Sequence, residues 1–150
     1  MMFKLIVLGV LFLPSVLLGV TPFSLEGIKK LDVVVENRSK LIEDKTVTRL
    51  KGMMHRSLNS LGVQSRTFSS SILILLISTP KYGDVQLVKA ELMVVEQVRR
   101  RGSEEESLGF TYRMEDMFEP EMLQEDMIES LEFLLGEFSD QYKEDNGGDE

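Results

Sequence analysis

Acidic side chains are the residues best suited to do chemistry in this chain, and one group of them is closely spaced. Glu115 and Asp116 are followed by Glu119 and Glu121. Carboxylates that converge in a cleft can hydrolyse a glycosidic bond or bind a hard divalent cation. The segment 115–121 is therefore the one that a hydrolase or a divalent-metal-dependent enzyme would use. Solvation on a loop and a helix face explains the same acids, so the enzyme is the alternative hypothesis.

His55 is the only histidine, so any Ser-His-Asp or Cys-His catalytic arrangement would depend on it. The chain has no cysteine, and it contains no glycine-flanked serine elbow. His55 lies between Met54 and Arg56 in a predicted helix, which favours a boundary or surface position. The sequence therefore assigns no catalytic, cofactor-binding or metal-binding residue. We expect a protein that is not an enzyme and has no cofactor.

The charge of the chain is divided unevenly along its length. Residues 103–150 carry 17 acidic and 2 basic side chains, whereas residues 1–102 carry 8 acidic and 15 basic ones. The formal charges of these parts, −15 and +7, give the −8 of the whole chain. The acidic part would repel phosphate over a Debye length of roughly 8 Å, which argues against nucleic-acid binding. We expect the two parts to fold together and largely neutralise one another.

Three consecutive arginines at 99–101 are followed closely by three glutamates at 104–106. Arginines alone would indicate a nucleic-acid patch. Opposite charges across a hairpin are a better explanation. Such exposed pairs contribute well under ~1 kcal/mol each, so they affect solubility and edge protection more than stability.

The start of the chain predicts export. Lys4 precedes an apolar run over residues 5–18, which contains Pro14 and is followed by the small residue Gly19. This pattern is typical of a signal peptide at residues 1–19. The run is shorter than the roughly 20 residues that span a bilayer, although retention as an N-terminal anchor is the alternative. We expect a periplasmic or secreted protein, in contact with a membrane only if this segment is retained.

Hydrophobic periodicity predicts a strand and then a helix after this segment. Residues 28–36 alternate between apolar and polar side chains, as in a strand with one buried side. Asp44 is the predicted N-cap of the helix, and Gly62 its left-handed C-terminal cap. The apolar stripe of this helix consists of Val47, Leu50, Met54, Leu58 and Leu61.

A meander of three strands is predicted next. Residues 72–77 are continuously apolar, which favours a strand covered on both faces. The turn residues at 80–84 connect it to a long strand over 85–99, whose apolar phase shifts near Val88 and predicts a bulge or a change of face. The third strand alternates cleanly over 108–114.

The last predicted helix begins at Glu119 and Pro120, because proline suits the first helical turn. Its apolar stripe consists of Leu123, Met127, Leu131, Leu134, Leu135, Phe138 and Tyr142. The tail at 144–150 has no apolar residue that could hold a fold, and is predicted to be disordered. These elements predict one α+β domain over residues 24–143. It has a four-stranded, mainly antiparallel sheet in the order β-α-β-β-β-α, with two amphipathic helices packed on one face.

This order resembles small bacterial envelope domains, and most closely the lipopolysaccharide-assembly lipoprotein of the outer-membrane translocon. That family is anchored through a lipidated cysteine, and this chain has no cysteine. The resemblance therefore concerns architecture alone and assigns no site residue. It extends over the strand at 31–35, the helix end at 61–63, the strands at 72–77 and 88–98, the segment 110–112 and the final helix.

Export and the missing catalytic set favour an exported, non-enzymatic binding or envelope-assembly protein. Its expected partner is another envelope protein, which would bind at a sheet edge or on the open sheet face. We expect no nucleic-acid partner.

Overall fold

The computed structural model of the protein describes residues 24–147 of the 150-residue chain. The predicted signal peptide at 1–19 and the last residues of the predicted tail, 148–150, lie outside this part. Within the described part, no helix combines the length and the hydropathy that a membrane crossing requires.

The described residues form an α+β fold, as predicted. The elements in chain order are β1 (Asp32–Asn37), α1 (Asp44–Ser60), β2 (Ile72–Ser78), β3 (Lys81–Tyr82), β4 (Val85–Gln86), β5 (Val88–Arg99), β6 (Glu106–Phe118) and α2 (Leu123–Gly147). The main sheet has the strand order β1-β2-β5-β6, in which β1 is parallel to β2 and the other pairs are antiparallel. A separate two-stranded ribbon, β3-β4, lies between β2 and β5 in the chain.

Helix α1 forms where the stripe predicts it, and Leu50, Met54 and Leu58 are fully buried. The predicted N-cap was one residue off: the cap residue is Glu43, which makes no side-chain capping bond. The end of the helix is confirmed, because Gly62 has a φ of 76° and its N–H donates to the Asn59 carbonyl. The next N–H donates to the Leu58 carbonyl at 2.9 Å, which completes a Schellman cap.

In the described residues, helices cover strand β2 on one face only, so the second covering layer that was predicted is not among these residues. Leu73, Leu75 and Ile77 are fully buried beneath the helices, whereas Ile72 and Ile74 on the other face are partly buried. The apolar run at 72–77 is compatible with one covered face or with two. This pattern alone therefore does not decide between them.

The phase shift near Val88 is not a bulge within one strand, which was one of its two predicted explanations. Residues 85–86 belong to the small ribbon, and β5 begins only at Val88. The bulge of the sheet lies in β6, where Val94 pairs with Tyr112 but Val95 pairs with Phe110. Thr111 is the extra residue, and it reverses the faces of the side chains before it.

Helix α2 begins at Leu123, later than predicted, because the Asp126 carboxylate accepts the N–H groups of Glu121 and Met122, both at 2.8 Å. The helix also continues to Gly147, so residues 144–147 are helical and the predicted disorder there was wrong. Asp145 Oδ2 accepts the Leu25 N–H at 2.7 Å, which ties this end of the helix to the start of the domain.

One hydrophobic core lies between the helix layer and the sheet. Phe138 of α2 is fully buried, and its ring packs edge-to-face on Tyr112 of β6 with centroids 5.2 Å apart. The stripes of both helices enter this core, which confirms the predicted packing on one face. The opposite side of the main sheet, called the open face below, has no helix over it in the described residues.

Candidate functional site

The open face is built by pairing across the four strands of the main sheet. Val34 pairs with Ile74, which pairs with Met93. Apolar side chains therefore lie next to each other across β1, β2 and β5. The band continues to β6, because Ile72 pairs with Val95 and Val95 pairs with Phe110 beyond the bulge. We call this surface the apolar band; it consists of Val34, Ile72, Ile74, Leu76, Met93, Val95, Leu108 and Phe110.

The apolar band reaches solvent most at its β6 end. Leu108 is 71% exposed and Phe110 is 58% exposed, and Val34 at the other edge is 38% exposed. The centre is better covered, since Met93 is only 8% exposed. Antiparallel sheets that face water usually carry polar side chains on that side. The band is thus an unusual surface for a protein that meets only water.

A cluster of charged side chains borders the apolar band on β5 and β6. Arg113 donates to Glu91 at 2.5 Å, and Lys89 contacts Glu91 at 3.3 Å and Glu115 at 3.0 Å. Burial of Glu91 opposes its ionisation, but hydrogen bonds and charge from Arg113 and Lys89 outweigh that effect and lower its pKa. The members of the cluster are therefore paired with one another, and Glu91 stays ionised at neutral pH.

Strand β6 forms one edge of the main sheet, and its outer side has no partner strand in the described residues. Residues 106–109 pair only with 96–99 of β5, beyond the end of β2, so the β5-β6 ribbon projects from the sheet. Unpaired backbone N–H and C=O groups along such an edge can accept another strand. Leu108 and Phe110 belong to this edge, which links it to the apolar band.

The acids of the 115–121 segment only partly converge. Asp116, Glu119 and Glu121 line a shallow depression of about 370 Å³, together with Asp126 and Glu129 of α2. The remaining lining residues are Phe118, Ser130 and Phe133.

Two of these carboxylates already have partners within the fold. Asp116 accepts a hydrogen bond from the buried Ser130 hydroxyl at 2.8 Å, and Asp126 caps α2. Glu115 lies outside this depression, in the cluster on the open face. In the part of the chain that is described, no group of three or more His, Asp or Glu side chains is placed to hold a metal ion.

His55 lies in a second depression, which sequence reasoning did not predict. Its Nδ1 atom lies 2.7 Å from the Ser65 hydroxyl, although the residues are ten apart in sequence. The Schellman cap at Gly62 reverses the chain, so that residues 63–67 run back alongside α1. Burial of the ring, followed by the charges of Arg66 and Lys51, lowers the pKa of His55. Its neutral form therefore predominates at neutral pH.

Opposite charges gather at the two edges of the sheet. We call residues 29–67, which include β1 and α1, the basic edge; they carry nine basic and four acidic side chains. We call residues 106–147, which include β6 and α2, the acidic edge; they carry two basic and thirteen acidic ones. The strands β1 and β6 are the first and the last of the sheet, so their charges lie at opposite edges, whereas the helices α1 and α2 contact each other.

The expected neutralisation between the two parts of the chain occurs at few points. In residues 24–147, only the Lys89–Glu115 and Arg99–Glu106 ion pairs join a base of the first 102 residues to an acid of the rest. The Arg99–Glu106 pair, at 2.9 Å, confirms one of the predicted contacts across the hairpin. The bases of α1 form no ion pair within these residues.

Comparisons with known proteins add little to this geometry. No protein-family model matches the chain, and no curated protein matches it. Among solved structures, the chain is similar to a minor lipoprotein from Acinetobacter baumannii, with 18% sequence identity and a TM-score of 0.31. The match covers 78% of this chain and 92% of that one. At this level of similarity the lipoprotein carries neither a family nor a function over to this chain.

Proposed function

We propose that the protein is an exported, non-enzymatic binding protein of the cell envelope. A partner protein docks on its open face and adds a strand along the outer side of β6. The observation that carries this proposal is the apolar band, which in the described residues has no helix over it, is most exposed at Leu108 and Phe110, and adjoins an edge strand with no partner. Export is supported by the apolar run over residues 5–18 of the sequence.

The composition of the apolar band supports a covering partner. Burying exposed apolar surface stabilises a complex by roughly 25 cal/mol per Å² before the costs of association are subtracted. Leu108 and Phe110 are both more than half exposed, so they have the most area left to bury. An aromatic side chain at the centre of such a surface is a common anchor of protein–protein binding.

The edge of β6 supports an extended segment as the part of the partner that binds. A strand added there would bond to free backbone groups over the 13 residues of β6. Alternate side chains of that strand would lie on the open face, next to Phe110 and Leu108. Backbone hydrogen bonds would supply affinity, and the apolar contacts would set the register.

Charge complementarity favours a basic partner segment over a second copy of this chain. Strand β6 belongs to the acidic edge, and pairing two such edges would bring like charges together.

The non-enzymatic assignment is supported by how the candidate catalytic groups are used. The Asp116 and Asp126 carboxylates serve the fold, through Ser130 and the start of α2. Ser65, beside His55, is only 8% exposed and would be difficult for a substrate to reach. No described carboxylate hydrogen-bonds the His55 ring to complete a triad.

Site-specific photocrosslinking in the native host tests whether a partner protein binds the open face. A photoreactive phenylalanine derivative is placed at Phe110 or at Val34, and at Glu132 on the exposed side of α2 as a control. We expect one and the same protein to be crosslinked from Phe110 and Val34, and not from Glu132. The Phe110→Asp variant should lower recovery of that protein at least tenfold, because it places a charge in the contact.

The matched control is Phe133→Asp, since Phe133 is 50% exposed but lies on α2 and not on the open face. Recovery should be unchanged in this variant. Crosslinks to a second copy, or within the chain to residues 1–23, would replace the partner protein as the occupant and overturn the proposal. Equal losses in the two aspartate variants, or no crosslink from the open face, would also overturn it.

A further inference from the structure

A polar depression lies at the basic edge, away from the open face and from β6. Its volume is about 430 Å³, within the range of small-ligand pockets, which begins near 300 Å³. It is formed by the second half of α1 and by the segment that runs back after Gly62. The lining side chains are His55, Arg56, Asn59, Val63, Gln64, Ser65, Arg66 and Thr67.

The two arginines of this depression form no ion pair with the described residues. In the described residues, neither Arg56 nor Arg66 forms a salt bridge, and both are exposed. They come from different segments, α1 and the loop after it, yet they line the same depression. The fold loses little stability by leaving these arginines unpaired, because exposed ion pairs contribute little. Unpaired guanidinium groups around a concave surface are well suited to bind an anion.

The carbonyl groups at the end of α1 do not compete for these arginines. The helix end is capped by backbone donors, with the Gly62 N–H on Asn59 and the Val63 N–H on Leu58. Backbone N–H groups thus already bind carbonyl groups at the negative end of the helix, which do not need a side-chain donor. The guanidinium groups are left for a ligand.

The His55 ring adds a polar group to the same depression. Its Nδ1 atom lies 2.7 Å from the Ser65 hydroxyl, and the tautomer of the ring decides which of the two groups donates. Ser65 is nearly buried, so this contact orients the ring. In the tautomer whose Nδ1 accepts from Ser65, the Nε2–H group can donate to an oxyanion beside the two guanidinium groups.

We propose that this depression binds a phosphate group. Arg56 and Arg66, from α1 and from the loop after it, supply charge-assisted hydrogen bonds. The ring of His55 supplies a neutral hydrogen bond in the tautomer that carries its proton on Nε2. Thr67 and the side-chain amide of Asn59 provide further donors at the rim. A phosphate offers three or four oxygens to these donors, whereas a carboxylate offers only two. The volume also leaves room for a group the size of a sugar beside the phosphate.

The site is independent of the proposed partner surface, since α1 lies over the opposite face of the sheet. Phosphate can reach it as a soluble ester or as a lipid headgroup, and the same chemistry recognises both. Isothermal titration calorimetry with glucose 6-phosphate probes the soluble source. Co-sedimentation with phosphatidylcholine vesicles, with and without phosphatidic acid, probes the lipid source.

The site variant is Arg56→Gln with Arg66→Gln, and the control is Lys45→Gln with Arg49→Gln. Both double variants remove the same charge from the basic edge, but Lys45 and Arg49 lie outside the depression. All four side chains are exposed, so the variants should fold, which circular dichroism verifies. We expect at least about tenfold weaker binding in the site variant and less than about twofold change in the control.

A tenfold loss seen with glucose 6-phosphate identifies a soluble ester as the source, and one seen only with phosphatidic acid identifies a lipid headgroup. Either result supports the site. Equal losses in both double variants would show that only the surface charge of the basic edge attracts anions. That outcome, or no binding of any phosphate probe to the unaltered protein, would overturn the proposal.

Discussion

The basic edge and the acidic edge are built by the same scheme and differ in what they present to solvent. In each, an amphipathic helix buries one stripe against the sheet: α1 contacts β1, and α2 contacts β5 and β6. Leu50 and Met54 on α1 are as completely buried as Met127 and Leu131 on α2. The exposed positions, however, are mostly basic in one case and mostly acidic in the other.

This comparison shows that burial and surface charge use different residues of one framework. The stripes must be apolar for the layers to pack, which leaves the outer positions free to vary in charge. The acidic edge combines its charge with an unpaired strand and an apolar band, which suits a protein partner. The basic edge combines its charge with a concave polar surface, which suits a small anion.

The largest expected loss of stability comes from a substitution in the packing of the acidic edge. Phe138→Ala should lower the free energy of unfolding by about 3–5 kcal/mol, because it opens a cavity and removes the contact with Tyr112. Urea denaturation followed by circular dichroism measures this. Phe133→Ala, at a half-exposed position of the same helix, should cost less than about 1 kcal/mol. Similar costs for both would mean that α2 does not pack through this stripe.

The second prediction compares an ion pair on the open face with one at the basic edge. Glu91→Gln should cost about 1.5 kcal/mol at pH 7, because Glu91 is buried between Lys89 and Arg113. Glu36→Gln should cost less than about 0.5 kcal/mol, since its pair with Arg38 is exposed.

The pH dependence of the same comparison follows from the lowered pKa of Glu91. A carboxyl whose folded pKa lies below its unfolded value of about 4.3 stabilises the fold above that pH and loses this contribution as the pH falls through the folded pKa. The difference between the unaltered protein and Glu91→Gln should therefore shrink between pH 6 and pH 3. Unfolding titrations across this range check it, and a difference that grows on acidification would contradict the assignment.

A smaller loss of stability is expected for a substitution in the projecting β5-β6 ribbon. A Cβ atom added at Gly109 would lie 2.6 Å from a methyl carbon of Val98 on the paired strand. Gly109→Ala should therefore cost about 1 kcal/mol, since the valine must move. The cost should fall to near zero when Val98→Ala is already present. A double-mutant cycle with no coupling would show that the strands are not this close.

The smallest predicted effects have opposite signs at the two edges. Gly62→Ala should cost about 1 kcal/mol, because the left-handed conformation that ends α1 disfavours any side chain. Gly136→Ala, in an open position within α2, should instead stabilise by about 0.5–1 kcal/mol through helix propensity. Thermal unfolding of both variants tests this pair. Destabilisation by Gly136→Ala would mean that another group already occupies the space beside Gly136.

The sequence by itself determined the elements whose signals are local. The stripe through Leu50, Met54 and Leu58, the glycine that ends α1 and the stripe of α2 follow from spacing along one segment, and all were predicted correctly. The α+β class followed from the order of these elements. Periodicity is sufficient here because it reports which side of one element is apolar.

The tertiary structure alone decided how far each face of β2 is covered and which distant residues meet. The run at 72–77 is apolar on both faces, and in the described residues only one of these faces lies beneath the helices. The bulge at Thr111 redirects Phe110 to that face, and it depends on pairing with β5. The Ser65 hydroxyl reaches His55 only because the chain reverses at Gly62. Such contacts join residues through folding, so no spacing along the chain encodes them.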